Sequence, residues 1–134
     1  MLSNWYTRRN SGPPSQPLVI NVSVVIPCYN RSATIMDAIA SVRRQTRAPK
    51  ELIVVDDGST DDSAEVADRA GAHVIRLPKN SGTSAARNVG IHAASSDAIA
   101  WLDSDDCWEP QHLSVVATLL DTYPEAAVAS PAIR

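Results

Sequence analysis

Short apolar segments alternate with segments of helical periodicity along most of this chain, and this alternation restricts the folds that it can adopt. The segments with strand character span four to six residues each and are 22–26, 52–55, 73–76 and 97–102. Helices are predicted between them and after the last one, over 32–46, 61–70, 81–94 and 110–122. Mostly apolar strands separated by helices are typical of a parallel sheet covered on both faces. The sequence therefore predicts an α/β fold with an open, mainly parallel sheet, in which 126–129 begins a fifth strand.

Polar segments follow three of the predicted strands, at 27–30, 56–59 and 103–106. Right-handed crossovers bring the C-terminal ends of parallel strands to one edge of the sheet, where open α/β sheets bind their ligands. The third of these segments, Asp-Ser-Asp-Asp, places three carboxylates directly after an apolar strand. A hard divalent cation would offset their charge, and Mg²⁺ or Mn²⁺ commonly joins carboxylates to phosphate groups. We therefore expect a metal ion and a phosphorylated ligand at this edge.

The composition excludes several classes of protein. With 134 residues, of which 44% are hydrophobic and 20% charged, the chain is predicted to form one globular domain. Its formal net charge is −3 and it has no dense cluster of Lys and Arg, which disfavours a nucleic-acid partner. No apolar run approaches the roughly 20 residues that a membrane span needs. Two cysteines are too few for a disulfide framework, so a cytoplasmic location is the default expectation.

Residues 1–20 differ in composition from the rest of the chain and are predicted to form a flexible tail. Gly12 and three prolines (Pro13, Pro14 and Pro17) interrupt any regular pattern there. The segment also lacks the continuous apolar stretch of a signal peptide. The folded domain is therefore expected to begin after this tail.

Four successive segments of the chain resemble the signature sequences of family 2 glycosyltransferases, in the family's order and spacing. They read VVIPCYN at 24–30, VVDDGSTD at 54–61, NSGTSAARNVG at 80–90 and WLDSDD at 101–106. Together they are far more specific than any one of them, and the resemblance covers about residues 21 to 130. It implies a GT-A fold in which residues 21–134 form the half that binds a nucleotide-sugar donor.

The resemblance further implies an enzyme of cell-wall or polysaccharide biosynthesis. Such an enzyme transfers a sugar from a nucleotide-diphospho-sugar to an acceptor hydroxyl, inverting the anomeric carbon with the help of a divalent metal. The family supplies its catalytic carboxylate base and most of its acceptor site from the second half of the domain. The base is therefore expected beyond Arg134, with the sheet truncated after its fifth strand. We expect the chain alone to bind nucleotide but to transfer sugar poorly.

The resemblance assigns three residues to the nucleobase. It implies that Tyr29 stacks on the base with Pro27 alongside, and that Asp57 accepts a hydrogen bond from the base. A carboxylate acceptor suits the imide N–H of uracil and does not suit the unprotonated N3 of cytosine, so a UDP-sugar is favoured. Structural alternatives stay open, since Tyr29 could cap the sheet and Asp57 could stabilise a turn or cap a helix.

The resemblance assigns three further residues to the rest of the nucleotide. It implies that Asp105 coordinates an Mn²⁺ or Mg²⁺ ion bridging the diphosphate, and that Asp103 contacts the ribose or the metal. Arg87 is placed close to the nucleotide, although it could instead pair with a nearby acid. Two neighbouring acids are expected to have local structural roles, Asp56 in its turn and Asp106 at the start of the following helix.

Three other functions share parts of this pattern. A non-catalytic nucleotide-sugar-binding module would have the same site without a base. A metal-dependent nucleotidyltransferase usually carries a glycine-rich, basic loop after the first strand, and 27–31 contains no glycine. A phosphoacceptor receiver domain places paired acids at that position, where this chain has Pro-Cys-Tyr. The acceptor, whether saccharide, lipid or protein, and any membrane association of a longer protein stay open.

Overall fold

The computed structural model describes residues 6–8, 20–123, 125 and 128–129, which form six strands and four helices. The strands are β1 (Tyr6–Arg8), β2 (Val22–Cys28), β3 (Glu51–Asp56), β4 (His73–Arg76), β5 (Ala98–Trp101) and β6 (Val128–Ala129). The helices are α1 (Ile35–Arg43), α2 (Ser63–Arg69), α3 (Thr83–Ala93) and α4 (His112–Thr122). All four predicted helices are present, each somewhat shorter than predicted because its flanking residues leave the helical path. Within the described ranges, no helix has the length and apolar character needed to cross a membrane.

The strands form one sheet in the order β4-β3-β2-β5-β1-β6. The strands β4, β3, β2 and β5 run parallel, whereas β1 is antiparallel to both β5 and β6. The predicted open, mainly parallel sheet is therefore confirmed. Of the strand predicted at 126–129, Val128 and Ala129 form β6, and 126–127 lie outside the described residues.

A short strand lies within the segment predicted to be a flexible tail. The strand β1 pairs with β5, and Tyr6 lies opposite Ala100. The rest of that segment lies outside the described residues, apart from Ile20, which is buried. Backbone hydrogen bonds to the edge of β5 stabilise this strand, and sequence periodicity cannot reveal a pairing that involves only three residues.

The parallel strands are covered by helices on both faces. Consecutive residues of β2 point to opposite faces, so Val24 packs in the layer of α1, α2 and α4, whereas Val25 packs in the layer of α3. Both side chains are fully buried. At Gly90, α3 approaches β2 so closely that a Cβ atom there would lie 2.4 Å from Val25 Cγ1. This close contact fixes the position of α3 against the sheet.

The sheet opens at the C-terminal end of β2. This strand pairs with β3 up to Cys28, but with β5 only up to Val25. Pro27 lies beyond the last pair with β5, and proline has no N–H to donate to a neighbouring strand. The strands β3 and β4 are added on one side of β2, whereas β5 is added on its other side. The order of strands therefore reverses between β2 and β5. In open α/β sheets such a crevice is the usual ligand site.

Candidate functional site

A cavity of about 400 Å³ lies at this crevice, on the C-terminal edge of the sheet. It is bordered by residues at or after the ends of β2, β3 and β5 and by the first turn of α3. Those residues are Pro27, Cys28, Tyr29, Asn30, Arg31, Asp57, Thr83, Ala86, Asp103, Ser104 and Asp105. Of the residues predicted to bind nucleotide or metal, all except Arg87 are among them.

The aromatic side of the cavity comes from the end of β2. Pro27 lies within this strand and Tyr29 directly follows it. The Tyr29 side chain is 40% exposed, although it follows a buried strand. A ring left open to a cavity can stack on a planar ligand. This exposure argues against the alternative in which Tyr29 serves to cap the sheet.

The loop after β2 is fastened to the turn after β3. Asn30 has a φ of 50°, in the left-handed region that asparagine tolerates better than most residues. Its backbone N–H donates to Ser59 Oγ at 2.9 Å, and its Oδ1 accepts from the Thr60 N–H at 2.8 Å. Asp56 accepts hydrogen bonds from the N–H and the hydroxyl of Ser59, which confirms its predicted role in the turn. No role was predicted for Asn30, although it is the last residue of the first motif.

The Asp57 carboxylate connects the turn after β3 to the start of α3. One oxygen accepts from the Ser81 N–H at 2.8 Å and the other from the Gly82 N–H at 2.9 Å. The side chain is only 5% exposed. Asp57 therefore has a structural role, the alternative left open by the sequence, because it holds the backbone at the start of α3. Each carboxylate oxygen keeps a second lone pair, so Asp57 can also accept a hydrogen bond from a molecule in the cavity.

Two of the three clustered acids line the cavity and the third does not. After β5, the chain turns so that the Asp106 N–H donates to the Asp103 carbonyl at 3.1 Å. The Thr34 hydroxyl donates to the Ser104 carbonyl at 2.9 Å and holds this turn beside the start of α1. Asp103 and Asp105 line the cavity, whereas the Asp106 carboxylate accepts from the next backbone N–H at 3.0 Å. Asp106 therefore stabilises the local backbone, and the prediction that it lies at the start of the following helix is wrong, because α4 begins only at His112.

The donor set at this turn fits a hard divalent cation. Asp103 and Asp105 supply carboxylate oxygens, which Mg²⁺ and Mn²⁺ prefer as ligands. In the part of the chain that the structure describes, no group of three or more His, Cys, Asp or Glu side chains could hold a metal ion. Mg²⁺ is usually bound by one or two carboxylates together with substrate phosphates and water. Two carboxylates beside an open cavity therefore suit a metal ion that shares its coordination with a phosphorylated molecule.

Arg87 lies on α3 but does not line the cavity. Its Cζ is 5.9 Å from the centroid of the Trp101 ring, which is a cation–π contact. The side chain is half-buried, and its Nε is buried with no hydrogen-bond partner among the described residues. The basic residue that lines the cavity is instead Arg31, in the loop after β2. Arg31 was not predicted to be a site residue, because its only signal in the sequence is its position directly after the first motif.

Cys28 lines the cavity but is expected to be chemically inert. Burial, together with the charge of Asp56, raises the pKa of the Cys28 thiol to about 11. Because the thiolate is the reactive form, we expect Cys28 to react with a disulfide reagent at pH 8 roughly ten times more slowly, or slower still, than the exposed Cys107. Absorbance kinetics should show two phases of one thiol each in the native protein and a single fast phase in denaturant. Two equally fast thiols in the native protein would contradict the buried position of Cys28.

Comparisons with known protein sequences agree with this geometry. The family model described as Glycosyl transferase family 2 matches residues 23–134. The chain is 38% identical over 97 residues to a putative teichuronic acid biosynthesis glycosyltransferase of Bacillus subtilis (strain 168), a match that covers 69% of this chain and 38% of that protein. It is 35% identical over 108 residues to an uncharacterized glycosyltransferase of Nostoc sp., over 77% of this chain and 34% of that protein. The chain thus spans little more than a third of the length of these relatives.

Solved structures have the same fold. The structure of S. aureus TarS 1-349 in complex with UDP is similar with a TM-score of 0.72 and 30% identity, over 78% of this chain and 33% of that one. Glucosyl-3-phosphoglycerate synthase from Mycobacterium tuberculosis, in complex with Mn²⁺, UDP and glucosyl-3-phosphoglycerate, gives a TM-score of 0.66 and 30% identity, over 78% of this chain and 40% of that one. These similarities confirm the predicted GT-A fold. Together with the family match, they favour a glycosyltransferase over a nucleotidyltransferase or a receiver domain.

Proposed function

Because this chain belongs to glycosyl transferase family 2, we propose that its cavity binds the nucleotide of a nucleotide-diphospho-sugar donor, with UDP as the favoured nucleotide. The observation that carries this proposal is that one cavity is shared by an exposed aromatic ring, a buried carboxylate and a pair of carboxylates. They are contributed by Tyr29, by Asp57 and by Asp103 with Asp105, which follow three different strands. Each feature alone has a structural explanation, but their convergence suits the base at one end of a nucleotide and the diphosphate at the other.

At the base end, the uracil ring stacks on Tyr29 with Pro27 beside it. Asp57 accepts a hydrogen bond from the imide N–H of uracil through a lone pair that the Ser81 and Gly82 amides do not use. Cytosine has an unprotonated acceptor at the same position, so the carboxylate would repel it. The TarS structures with UDP and with UDP-GlcNAc support a uridine nucleotide in this fold.

At the diphosphate end, Asp105 binds an Mn²⁺ or Mg²⁺ ion, and Asp103 binds the same ion or the ribose. When bound, the metal ion is a Lewis acid that stabilises the negative charge developing on the leaving nucleoside diphosphate. The contribution of the chain is to orient these carboxylates, because the Thr34 hydroxyl holds their turn against α1. The Mn²⁺ in the mycobacterial synthase complex supports a divalent ion at such a site.

The proposed reaction is inverting transfer of the sugar to an acceptor hydroxyl. The acceptor oxygen attacks the anomeric carbon, the bond to the diphosphate oxygen breaks, and the hydroxyl proton passes to a carboxylate base. The acids that line the cavity have donor-side roles in this proposal, so the base is a carboxylate other than these. For this reason we propose that the chain alone binds nucleotide without efficient transfer. The putative teichuronic acid biosynthesis glycosyltransferase of Bacillus subtilis supports the predicted role in cell-wall or polysaccharide biosynthesis.

Calorimetric titration of UDP into the chain tests this function. We expect binding in the presence of Mn²⁺ and a loss of affinity of roughly ten-fold or more in EDTA, because the metal ion neutralises charge between the carboxylates and the diphosphate. CDP serves as the matched control, since it has the same diphosphate but lacks the imide N–H, and it should bind more weakly than UDP. Circular dichroism of the same sample establishes that it is folded. A folded sample that binds UDP under neither condition would refute the proposal.

A further inference from the structure

The proposed nucleotide site has an unfavourable balance of charge for an anion. Among the described residues that line the cavity, Asp57, Asp103 and Asp105 are acids and Arg31 is the one base. The Asp57 charge is partly compensated by two backbone N–H groups, but a diphosphate would still lie near the Asp105 carboxylate. Like charges at short range in a partly desolvated cavity repel each other strongly. Binding of a diphosphate here therefore calls for positive charge, and Arg31 is the protein group that lines the same cavity.

The backbone of Arg31 is held firmly in place. Its N–H donates to Ser63 Oγ at 2.8 Å, and its carbonyl accepts from the Ile35 N–H at 2.9 Å. The preceding residue, Asn30, is fixed by its own hydrogen bonds to the turn after β3. The Ser63 hydroxyl is itself bonded to Asp61, whose pKa is lowered to about 2 by the hydrogen bonds that it accepts from the hydroxyl and N–H of Ser63 and from Ser32. The root of the Arg31 side chain is thus tied to both α1 and the start of α2.

The guanidinium of Arg31, in contrast, is only weakly engaged. The side chain is exposed, and its hydrogen bond to the Asn30 carbonyl is long, at 3.4 Å. Arg31 forms no ion pair with any residue of 20–123. The ion pair present there joins Arg76 and Glu65 at 3.0 Å. A guanidinium has five N–H donors in a planar arrangement that matches two phosphate oxygens at once. Arg31 therefore has donors and charge available at the wall of the cavity.

We propose, resting on the function proposed above, that Arg31 binds the phosphate groups of the nucleotide directly, as a protein cation that acts alongside the metal ion at Asp103 and Asp105. Arg31 and the metal ion bind the same diphosphate, and each contributes separately to the affinity for UDP. The part of the UDP affinity that persists without metal therefore depends on Arg31. Its effect also grows with the number of phosphates, since uridine offers the guanidinium no anionic oxygen.

Calorimetry with three probes tests this assignment. UDP, UMP and uridine are titrated into the chain and into Arg31→Gln, each with Mn²⁺ and with EDTA. We expect Arg31→Gln to weaken UDP binding roughly ten-fold or more under both conditions, to weaken UMP binding less, and to leave uridine binding unchanged. Arg44→Gln is the matched control, because it removes the same charge from an exposed residue at the other end of α1 and should leave all affinities unchanged. Arg31→Lys keeps the charge but loses the paired N–H donors, so it should retain more of the UDP affinity than Arg31→Gln does.

The possible failures are distinguishable. If the unmodified chain binds UDP and Arg31→Gln binds it equally well with and without Mn²⁺, the role of Arg31 is refuted while the proposed function stands. A loss in Arg31→Lys as large as that in Arg31→Gln, in folded protein, would refute an electrostatic role. If the unmodified chain binds no UDP under either condition, the proposed function fails and this inference fails with it.

Discussion

Replacing Asp105 by alanine is expected to abolish the Mn²⁺-dependent part of UDP binding. Asp105 lies at the wall of the cavity, and in the proposed site its carboxylate is a direct ligand of the metal ion. Mutation of residues that only hydrogen-bond to metal ligands lowers metal affinity by about 10- to 100-fold. Loss of a direct ligand should therefore lower the affinity for the metal ion by roughly 100-fold or more. Titration of UDP with and without Mn²⁺ measures this effect, because the variant should bind UDP equally weakly in both conditions.

Asp106→Ala is the matched control for that experiment. Asp106 is the next residue in the chain and has the same charge, but its carboxylate accepts a hydrogen bond from the backbone N–H of Cys107 at 3.0 Å. Its removal should cost about 1 kcal/mol of stability and change the metal-dependent affinity only slightly. Equal losses of metal-dependent binding in the two variants would mean that the metal ligands are wrongly assigned.

Replacing Gly58 by alanine is expected to destabilise the fold strongly. Gly58 has a φ of 75°, a conformation that residues with a side chain rarely adopt. A Cβ atom there would also lie 2.5 Å from the Lys79 carbonyl carbon and 2.6 Å from the Asn80 nitrogen. Both contacts are with backbone, so rotation of a side chain cannot relieve them. Backbone strain and overpacking each cost about 1–3 kcal/mol, so we expect a loss of roughly 2–6 kcal/mol in the free energy of unfolding.

Urea denaturation measures this loss, and Gly82→Ala provides its control. Gly82 also has a positive φ, of 97°, but no atom lies within 4 Å of the position that its Cβ would occupy. It should therefore show the conformational cost alone, of about 1–2 kcal/mol. Similar losses in the two variants would show that the contact with the backbone of Lys79 and Asn80 is unimportant. A larger loss in Gly58→Ala should be accompanied by weaker UDP binding, because the displaced segment leads directly to the amides that Asp57 holds.

The order of strands and helices was predictable because local patterns determine it. Apolar segments such as 52–55 are too short for a typical helix and rich in β-branched residues, which favours strands. The 3.6-residue periodicity of the segments between them predicts helices that cover a sheet. The identity of most cavity residues was also predictable, since they directly follow strands that a parallel sheet aligns at one edge. The structure brings Tyr29, Asp57 and Asp105 together at that edge. By contrast, β1 depends on pairing with a strand about ninety residues away, which no local pattern encodes.

The direction of individual side chains was not predictable to the same degree. Arg87 lies within the third motif and Arg31 directly after the first. Only the packing of α3 against the sheet places Arg87 over Trp101 rather than in the cavity. Asp57 both lines the cavity and accepts hydrogen bonds from the Ser81 and Gly82 amides. This could not be predicted from local patterns, because those amides lie more than twenty residues further along the chain. The amino-acid sequence by itself determined the family, the α/β architecture and the edge of the sheet at which the site lies, because these follow from local periodicity and from the order of motifs. Only the tertiary structure decided which charges share the cavity, because a side chain's surroundings depend on contacts between segments that are distant in the sequence.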